Sequence, residues 1–258
     1  MHPDEAHVWQ LDPTRVAGRA ALLSPEESAR LAAHRDPRAG HTFLVARGLL
    51  RCALSEMEPE VAPAAWSFTR GPHGRPQIAA PRRHTSVRFN VSHTRDQVVC
   101  VVVRDADCGI DVEPAGRTVD VPLLAGDVLA PAEAAVLAAA APEHRSEVFL
   151  RYWTLKEAYA KALGVGMRLP FAGLVFGPPT TGAPRLDPAV HPEGADWQFA
   201  QWVTARGPAG QGWVVSLALS RPGGRELRIV RHDRWPTCPP PPSRGGSVDA
   251  SRAAGRPG

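Results

Sequence analysis

Residues 97–113 read QVVCVVVRDADCGIDVE. Val98 to Val103 is apolar at every position and β-branched except at Cys100, the density expected of buried strand rather than of a strand with one wet side. Asp105 to Asp107 supply a tight turn, and CGIDVE begins a second strand. Its period of two sets Ile110 and Val112 on one face and Asp111 and Glu113 on the other. Two carboxylates on one strand face have two readings. They are the solvated side of a half-buried strand, or they hold a hard divalent cation such as Mg²⁺, which takes one or two carboxylates together with substrate phosphates.

Upstream, HVWQLD (7–12) reads as an opening strand. SPEESARLAAHR (24–35) reads as a helix with Ser24 as cap, Pro25 in the first turn and Glu27 completing a capping box. HTFLVARGLLRCALSEM (41–57) continues as a second helix, on which Arg47 and Arg51 stand one turn apart and can reach one ligand. RGPHGRPQI (70–78) is a Gly/Pro turn, and SVRFNVSHT (86–94) is a further strand. Downstream the pattern loosens from Pro114 to Leu124. Residues 129–166 then give one short and one long helix, LPFAGLVFG (169–177) a strand, and residues 196–220 a hairpin turning in GPAGQG. Residues 177–196 read as an irregular loop. The class is α/β or α+β in two similar lobes, 1–113 and 114–235, followed by a Pro/Gly-rich tail, 236–258, too poor in apolar residues to order itself.

The 258 residues are 43% hydrophobic and 22% charged, as in an ordinary soluble globular protein. A net charge of +4 suits an anionic ligand, but no basic run is interleaved with aromatics, which argues against nucleic acid. Cysteines at 52, 100, 108 and 238 show no metal-type spacing. Cys100 and Cys108 read as buried free thiols, and a reducing cytoplasm follows as the expected compartment. MHPDEAHVWQLDP has no signal-peptide pattern, and Pro131, Glu133 and Pro142 interrupt the most apolar helical stretch, so no membrane span is expected.

In SEVFLRYWTLKEAYAKALG, Val148, Tyr152, Leu155, Tyr159 and Leu163 recur at helical spacing and form a packing stripe. At about 100° per residue, Glu157 and Lys161 lie roughly opposite that stripe, with Trp153 on the flank. An exposed Glu→Lys pair is one reading. A Trp beside a solvated face fits poorly with it, and a second contact surface, such as a cleft between lobes, is the other. In RFNVSHT, His93 is either a structural histidine at a strand end or, with Ser92 and upstream Arg75, part of a phosphate-gripping edge.

GRP at 74–76, FNVSHT at 89–94, GIDVE at 109–113 and WTLKEAYAKALG at 153–164 occur in the order and at the separations found in 4′-phosphopantetheinyl transferases. The chain resembles the larger, surfactin-synthetase-activating (Sfp) type over most of residues 5 to 220. That resemblance implies a pseudo-dimer in one chain, each lobe a small antiparallel sheet packed with a long helix. It implies transfer of the phosphopantetheine arm of coenzyme A to a serine of an acyl or peptidyl carrier protein, by a monomer with Mg²⁺ (or Mn²⁺). Residue by residue, it assigns Asp111 and Glu113 to the metal. Glu157 would complete the metal shell or accept the serine proton, and Lys161 would neutralise phosphate charge. Ser92, His93 and Arg75 would contact the nucleotide phosphates, Arg75 standing where many members have lysine, and Arg47 would hold the nucleotide end. Glu133 matches an acid ahead of the second lobe's helices. Glu27 stands where some members have a CoA-contacting lysine, so that contact is either lost or replaced by Arg30, and Phe43 stands where certain members have a small polar residue at another contact position. Phosphoryl transfer asks the protein mainly for positioning and charge neutralisation, which these residue types supply. A Mg²⁺-dependent phosphoesterase and a non-catalytic carrier-binding protein are the rival readings.

Overall fold

The structure is a computed structural model and describes residues 2–71, 73–82, 86–178, 183–204 and 212–237. The tail from 238 onward, Cys238 and the tip of the last hairpin lie outside the described residues. From the N-terminus, β1 (Glu5–Leu11) leads through α1 (Pro25–Ala32) and α2 (Pro37–Met57) to β2 (Ser67–Arg70) and β3 (Pro76–Ala80). Next come β4 (Val87–His93), β5 (Val98–Arg104) and β6 (Cys108–Pro114), then α3 (Val121–Val128), α4 (Pro131–Ala139) and α5 (Arg145–Leu163). β7 (Trp197–Val203), β8 (Trp213–Ser220) and β9 (Arg228–His232) follow.

The strands make a four-stranded sheet in the order β4-β5-β1-β9, a three-stranded antiparallel sheet β6-β8-β7, and a separate β2-β3 ribbon. β5 explains why its sequence carries no polar residue between Val98 and Val103. Val98, Cys100 and Val102 pack with α2 residues such as Leu49 and Leu50, while Val99, Val101 and Val103 pack against Ile110 and Val112 of β6 and Val215 and Leu217 of β8. Each fully buried valine contributes about 1.5–3 kcal/mol relative to exposure. The chain then turns at Asp105, whose φ is +55°, and crosses from one sheet to the other. The far face of the second sheet, including Phe199 of β7, carries α5 through Tyr152, Leu155 and Tyr159. Four layers result: α2, sheet, sheet, α5.

Several expectations hold. Ser24 and Glu27 form the capping box, with Glu27 N to Ser24 Oγ at 3.2 Å and Ser24 N to Glu27 Oε2 at 3.0 Å. Cys100 and Cys108 are buried free thiols. β7 and β8 pair as the expected hairpin, and among the described residues no helix is long and apolar enough to cross a membrane.

Other features differ. β6, placed in the first lobe by the boundary at 113, belongs to the second sheet, because its Ile110/Val112 face has its apolar partners on β8. β9 leaves the second lobe and pairs parallel with β1, so the first sheet is not purely antiparallel. Trp235 beyond it packs on the first-lobe core. The Gly/Pro turn at 70–78 is flanked by the β2-β3 hairpin. Residues 169–177 form a short 3₁₀ turn, Phe171–Gly173, and a single bridge from Phe176 to Leu186 rather than a strand. Leu163, at the end of the predicted stripe, is 40% exposed.

The β1–β9 seam is closed by a chain of polar groups. His7 Nδ1 lies 3.0 Å from His232 Nε2, its Nε2 lies 2.9 Å from Glu5 Oε2, and the Trp9 ring stacks on His232 at 4.7 Å. Burial lowers the pKa of His7 against the pull of Glu5, and burial with the neighbouring His7 and Arg234 lowers that of His232. The unfolded chain therefore takes up protons near pH 6.5 before the folded one does. The seam's stability is present above that pH and is lost as pH falls through the folded values. Thermal melts should show Tm dropping as pH falls below about 6.5, with a flatter profile in His232→Phe; parallel profiles would refute a role for the pair.

Candidate active site

Gly109 sets the geometry of the site. A Cβ built there would lie 2.0 Å from Ala158 O and 2.5 Å from Ala162 N, so only glycine lets α5 rest on β6 at backbone distance. That approach brings Glu157 and Lys161 beside Asp111 and Glu113. Lys161 Nζ lies 2.6 Å from Asp111 Oδ1 and donates to Ser92 Oγ (3.0 Å) and Ile110 O (3.3 Å). Ser92 Oγ donates in turn to Asp111 Oδ1 at 2.9 Å. Asn90, two residues earlier on β4, accepts from Ile110 N at 3.0 Å. The polar face of β4 thus docks on β6, tying the first sheet to the acidic strand. On β8, Ser216 registers opposite Asp111 and bonds Thr154 of α5 (2.7 Å) and Gln201 of β7 (2.9 Å), fixing the helix to its sheet.

Gly109→Ala should therefore cost about 3 kcal/mol or more through overpacking. The α5 displacement it forces should lower kcat by up to about 10²-fold, read by urea titration and single-turnover kinetics. A variant of normal stability and rate would show that the helix does not depend on this contact.

The acids crowd one another. Burial raises the pKa of Glu157, Asp111 and Glu113 raise it further, and Lys161 opposes. Burial likewise raises Glu113, opposed by Arg117, whose guanidinium lies 2.6 Å from its carboxylate. Asp111 Oδ2 is buried without a hydrogen-bond partner. Among the described residues no three His, Cys, Asp or Glu side chains stand close enough to form a ready ligand set; Lys161 and Arg117 engage two of the carboxylates instead.

A second group of charges lines a groove on α1, α2 and β2. Arg30, Arg47, Arg51 and Arg70 border a space of about 340 Å³ together with Ser24 and Glu27. The groove continues past Arg47 and Pro76 to Asn90 and His93. Glu27 pairs with Arg51 (2.7 Å) and Arg47 (3.5 Å). Burial lowers the pKa of Arg47, Glu27 opposes, and Arg30, Arg51 and Arg70 add to the lowering: positive charge is in surplus. Phe43 has a clear job, since the Arg30 and Arg47 guanidinia lie over its ring at 5.2 and 5.4 Å from the centroid. His93, on β4, lines the groove with part of its surface exposed, and partial desolvation, then the positive charges of Lys161 and Arg47, lower its pKa.

The structure thus bonds Ser92, Asp111 and Lys161 together, sets Glu113 and Glu157 within their electrostatic reach, and places Arg47 and His93 in the groove. Two sequence candidates lie apart. Arg75 is bonded to Ala162 O and Cys108 O. Glu133 is fully buried, bound to Lys156 and to the backbone N–H groups of Ala130 and Phe176 (2.9 and 2.8 Å). Sequence reasoning missed Lys156, whose Nζ also donates to Val128 O, Phe171 O and Leu174 O at 2.7–2.8 Å. A lysine on the buried side of α5, at Leu155 plus one, was its only signal. Arg70 was missed because the strand that carries it was read as a turn. Trp153 packs on Phe149 and Phe171 rather than facing solvent alone.

Sheet, helix and charge cluster lie largely inside the segment 107–218, which matches the family model described as the 4′-phosphopantetheinyl transferase superfamily. The 4′-phosphopantetheinyl transferase HetI of Nostoc sp. is 32% identical over 168 residues, 64% of this chain and 70% of that protein. The 4′-phosphopantetheinyl transferase AcpT of Escherichia coli is 31% identical over 152 residues, 58% and 72% of the two chains. The crystal structure of Thermotoga maritima holo-[acyl-carrier-protein] synthase shares 22% identity over 47% of this chain and 64% of that one, with a TM-score of 0.34. The chain belongs to the 4′-phosphopantetheinyl transferase superfamily.

Proposed function

We propose that the protein transfers the 4′-phosphopantetheine arm of coenzyme A to a serine hydroxyl of an apo acyl or peptidyl carrier protein. A bond forms from the serine oxygen to the pantetheine-side phosphorus, and the bond to the departing adenosine 3′,5′-bisphosphate breaks. The observation that carries this reading is His93, which lines the arginine-bearing groove with Arg30 and Arg47 and feels the charge of Lys161, the partner of Asp111, as well as that of Arg47. Arg30 and Arg47, braced on Phe43, hold the nucleotide end, and His93 and Lys161 meet the phosphates. Glu157 forms no ion pair with a described residue, and its raised pKa suits it to take the serine proton.

The donor chemistry of the acids suits a divalent cation, although their side chains are not drawn together into a ready ligand set. Asp111 has an unpartnered buried oxygen, and the mutual repulsion of three carboxylates is relieved by positive charge. Asp111 and Glu113, with Glu157 alongside, would hold Mg²⁺, which when bound neutralises pyrophosphate charge and polarises the phosphoryl oxygens. The two sheets of a single chain, each covered by a long helix, support the larger, surfactin-synthetase-activating type.

Intact-mass measurement on a panel of apo carriers with CoA and Mg²⁺ tests the reading. A gain of one phosphopantetheine arm on at least one carrier is expected. Release of adenosine 3′,5′-bisphosphate without any carrier would favour a phosphoesterase, and no product with any carrier would refute transfer.

A further inference from the structure

Arg75 occupies the position that the family resemblance assigns to a phosphate contact, but its guanidinium is turned toward the end of α5. Nη1 donates to Ala162 O at 2.6 Å and Nη2 to Cys108 O at 3.2 Å, and Asp107 Oδ1 completes the set at 3.5 Å. The side chain is only 14% exposed. Its stem lies across the helix cap: Gly164 closes α5 in the left-handed region at φ +72°, and a Cβ there would stand 3.2 Å from Arg75 Cδ. Ala162 O is one of the last four carbonyls of the helix, which lack intrahelical partners and carry the negative end of its dipole. A buried-side guanidinium is the matching donor.

The three groups bridged are informative. Ala162 directly follows Lys161, and Cys108 opens the strand that carries Asp111. Arg75 itself starts the β3 side of the ribbon that also contributes Pro76 to the groove. One fork of donors therefore joins the element bearing the lysine, the element bearing the acid and the groove wall.

We propose that Arg75 is a positioning residue: by clamping the last turn of α5 to the start of β6 it sets Lys161 against Asp111. The proposal rests on the transfer reaction above. Loss of the clamp loosens the final helical turn, and Lys161 Nζ then samples positions away from Asp111 and Ser92. The groove's arginines, Arg30, Arg47, Arg51 and Arg70, stand on α1, α2 and β2, and of its described wall residues only Pro76 adjoins the clamp.

The test compares the full chain with Arg75→Ala and Arg75→Lys in three measurements. These are kcat and KM for CoA at saturating carrier, Tm, and amide hydrogen exchange at the end of α5. Arg75→Ala should lower kcat about tenfold, a partial form of the loss that a misplacement of about 1 Å brings, with KM for CoA within about twofold. The Gly164 and Val165 amides, which bond Lys161 O and Ala160 O, should exchange faster. Arg75→Lys, able to keep one carbonyl contact, should recover part of kcat. A rise in KM of tenfold or more at unchanged kcat would overturn the proposal in favour of a phosphate contact. So would activity lost only in proportion to unfolded protein, or unchanged exchange in the last turn. If the wild type transfers nothing, the reaction reading fails, and the exchange comparison still decides whether the clamp exists.

Discussion

Asp111→Asn is expected to give a folded protein whose transfer rate falls by about 10²–10³-fold, the scale seen when one well-placed electrostatic group is removed from a reaction centre. Asp111 is the one acid held at once by β6, by Ser92 from the first sheet and by Lys161 from α5, and its second oxygen is buried and unpartnered. Asparagine preserves the shape but removes the charge that Lys161 and a divalent cation would share. Lys161 is partly exposed, so its unpaired ammonium stays hydrated and the stability loss should remain near 1–3 kcal/mol. Circular dichroism and melting curves check the fold, and single-turnover mass measurements across a Mg²⁺ titration check the chemistry. Near-normal transfer at ordinary Mg²⁺ would sink the assignment of the acids.

Lys156→Met should be the most destabilising single change, by about 3–5 kcal/mol. Lys156 and Glu133 are both fully buried. Burial pulls the lysine's pKa down and the glutamate's up, and each partner's charge and hydrogen bond oppose that shift in the other. Removing the ammonium leaves an uncompensated carboxylate and three carbonyls, Val128, Phe171 and Leu174, without their donor. The double variant Lys156→Met/Glu133→Gln should regain a large part of the loss, because the amide still accepts from a backbone N–H while the charge is gone. Urea midpoints at constant m-value measure both. A single variant within about 1 kcal/mol of wild type, as at an ordinary surface pair, would mean that the pair is hydrated and contributes little.

The same pair explains where sequence and structure diverge. LPFAGLVFG has a strand's composition, yet Phe171 O and Leu174 O accept from Lys156 and Phe176 N donates to Glu133. With those backbone groups engaged, a regular ladder cannot form. Such long-range demands leave no local signature. By contrast, β1, α2, β4, β5 and α5 were legible because periodicity and capping are local, and Asp111/Glu113 because strand alternation is. The opposition of Glu157 and Lys161 to the α5 stripe was legible too, but their meeting with β6 depends on Gly109, one glycine among 23. The direction of Arg75 was not legible: a Gly/Pro turn hides the hairpin that aims it. Sheet membership of β6 and β9 also escaped, since it depends on which apolar face finds a partner.

The parallel pairing of β9 with β1 has a bearing on how the chain is made. Glu5 stands opposite Arg228, 223 positions later in the chain. During synthesis, β1 therefore emerges with one edge open until the distant strand arrives. Contacts of such sequence separation form slowly, and an open edge is a template for pairing with other chains. The charged flank of that edge, Asp4 and Glu5, meets Arg225 and Arg228 only when β9 docks. In the nascent chain these acids stand as unpaired like charges, which disfavours edge-to-edge contact between ribosome-bound copies; the arginines that later pair with them make completion of the sheet the step that closes the molecule.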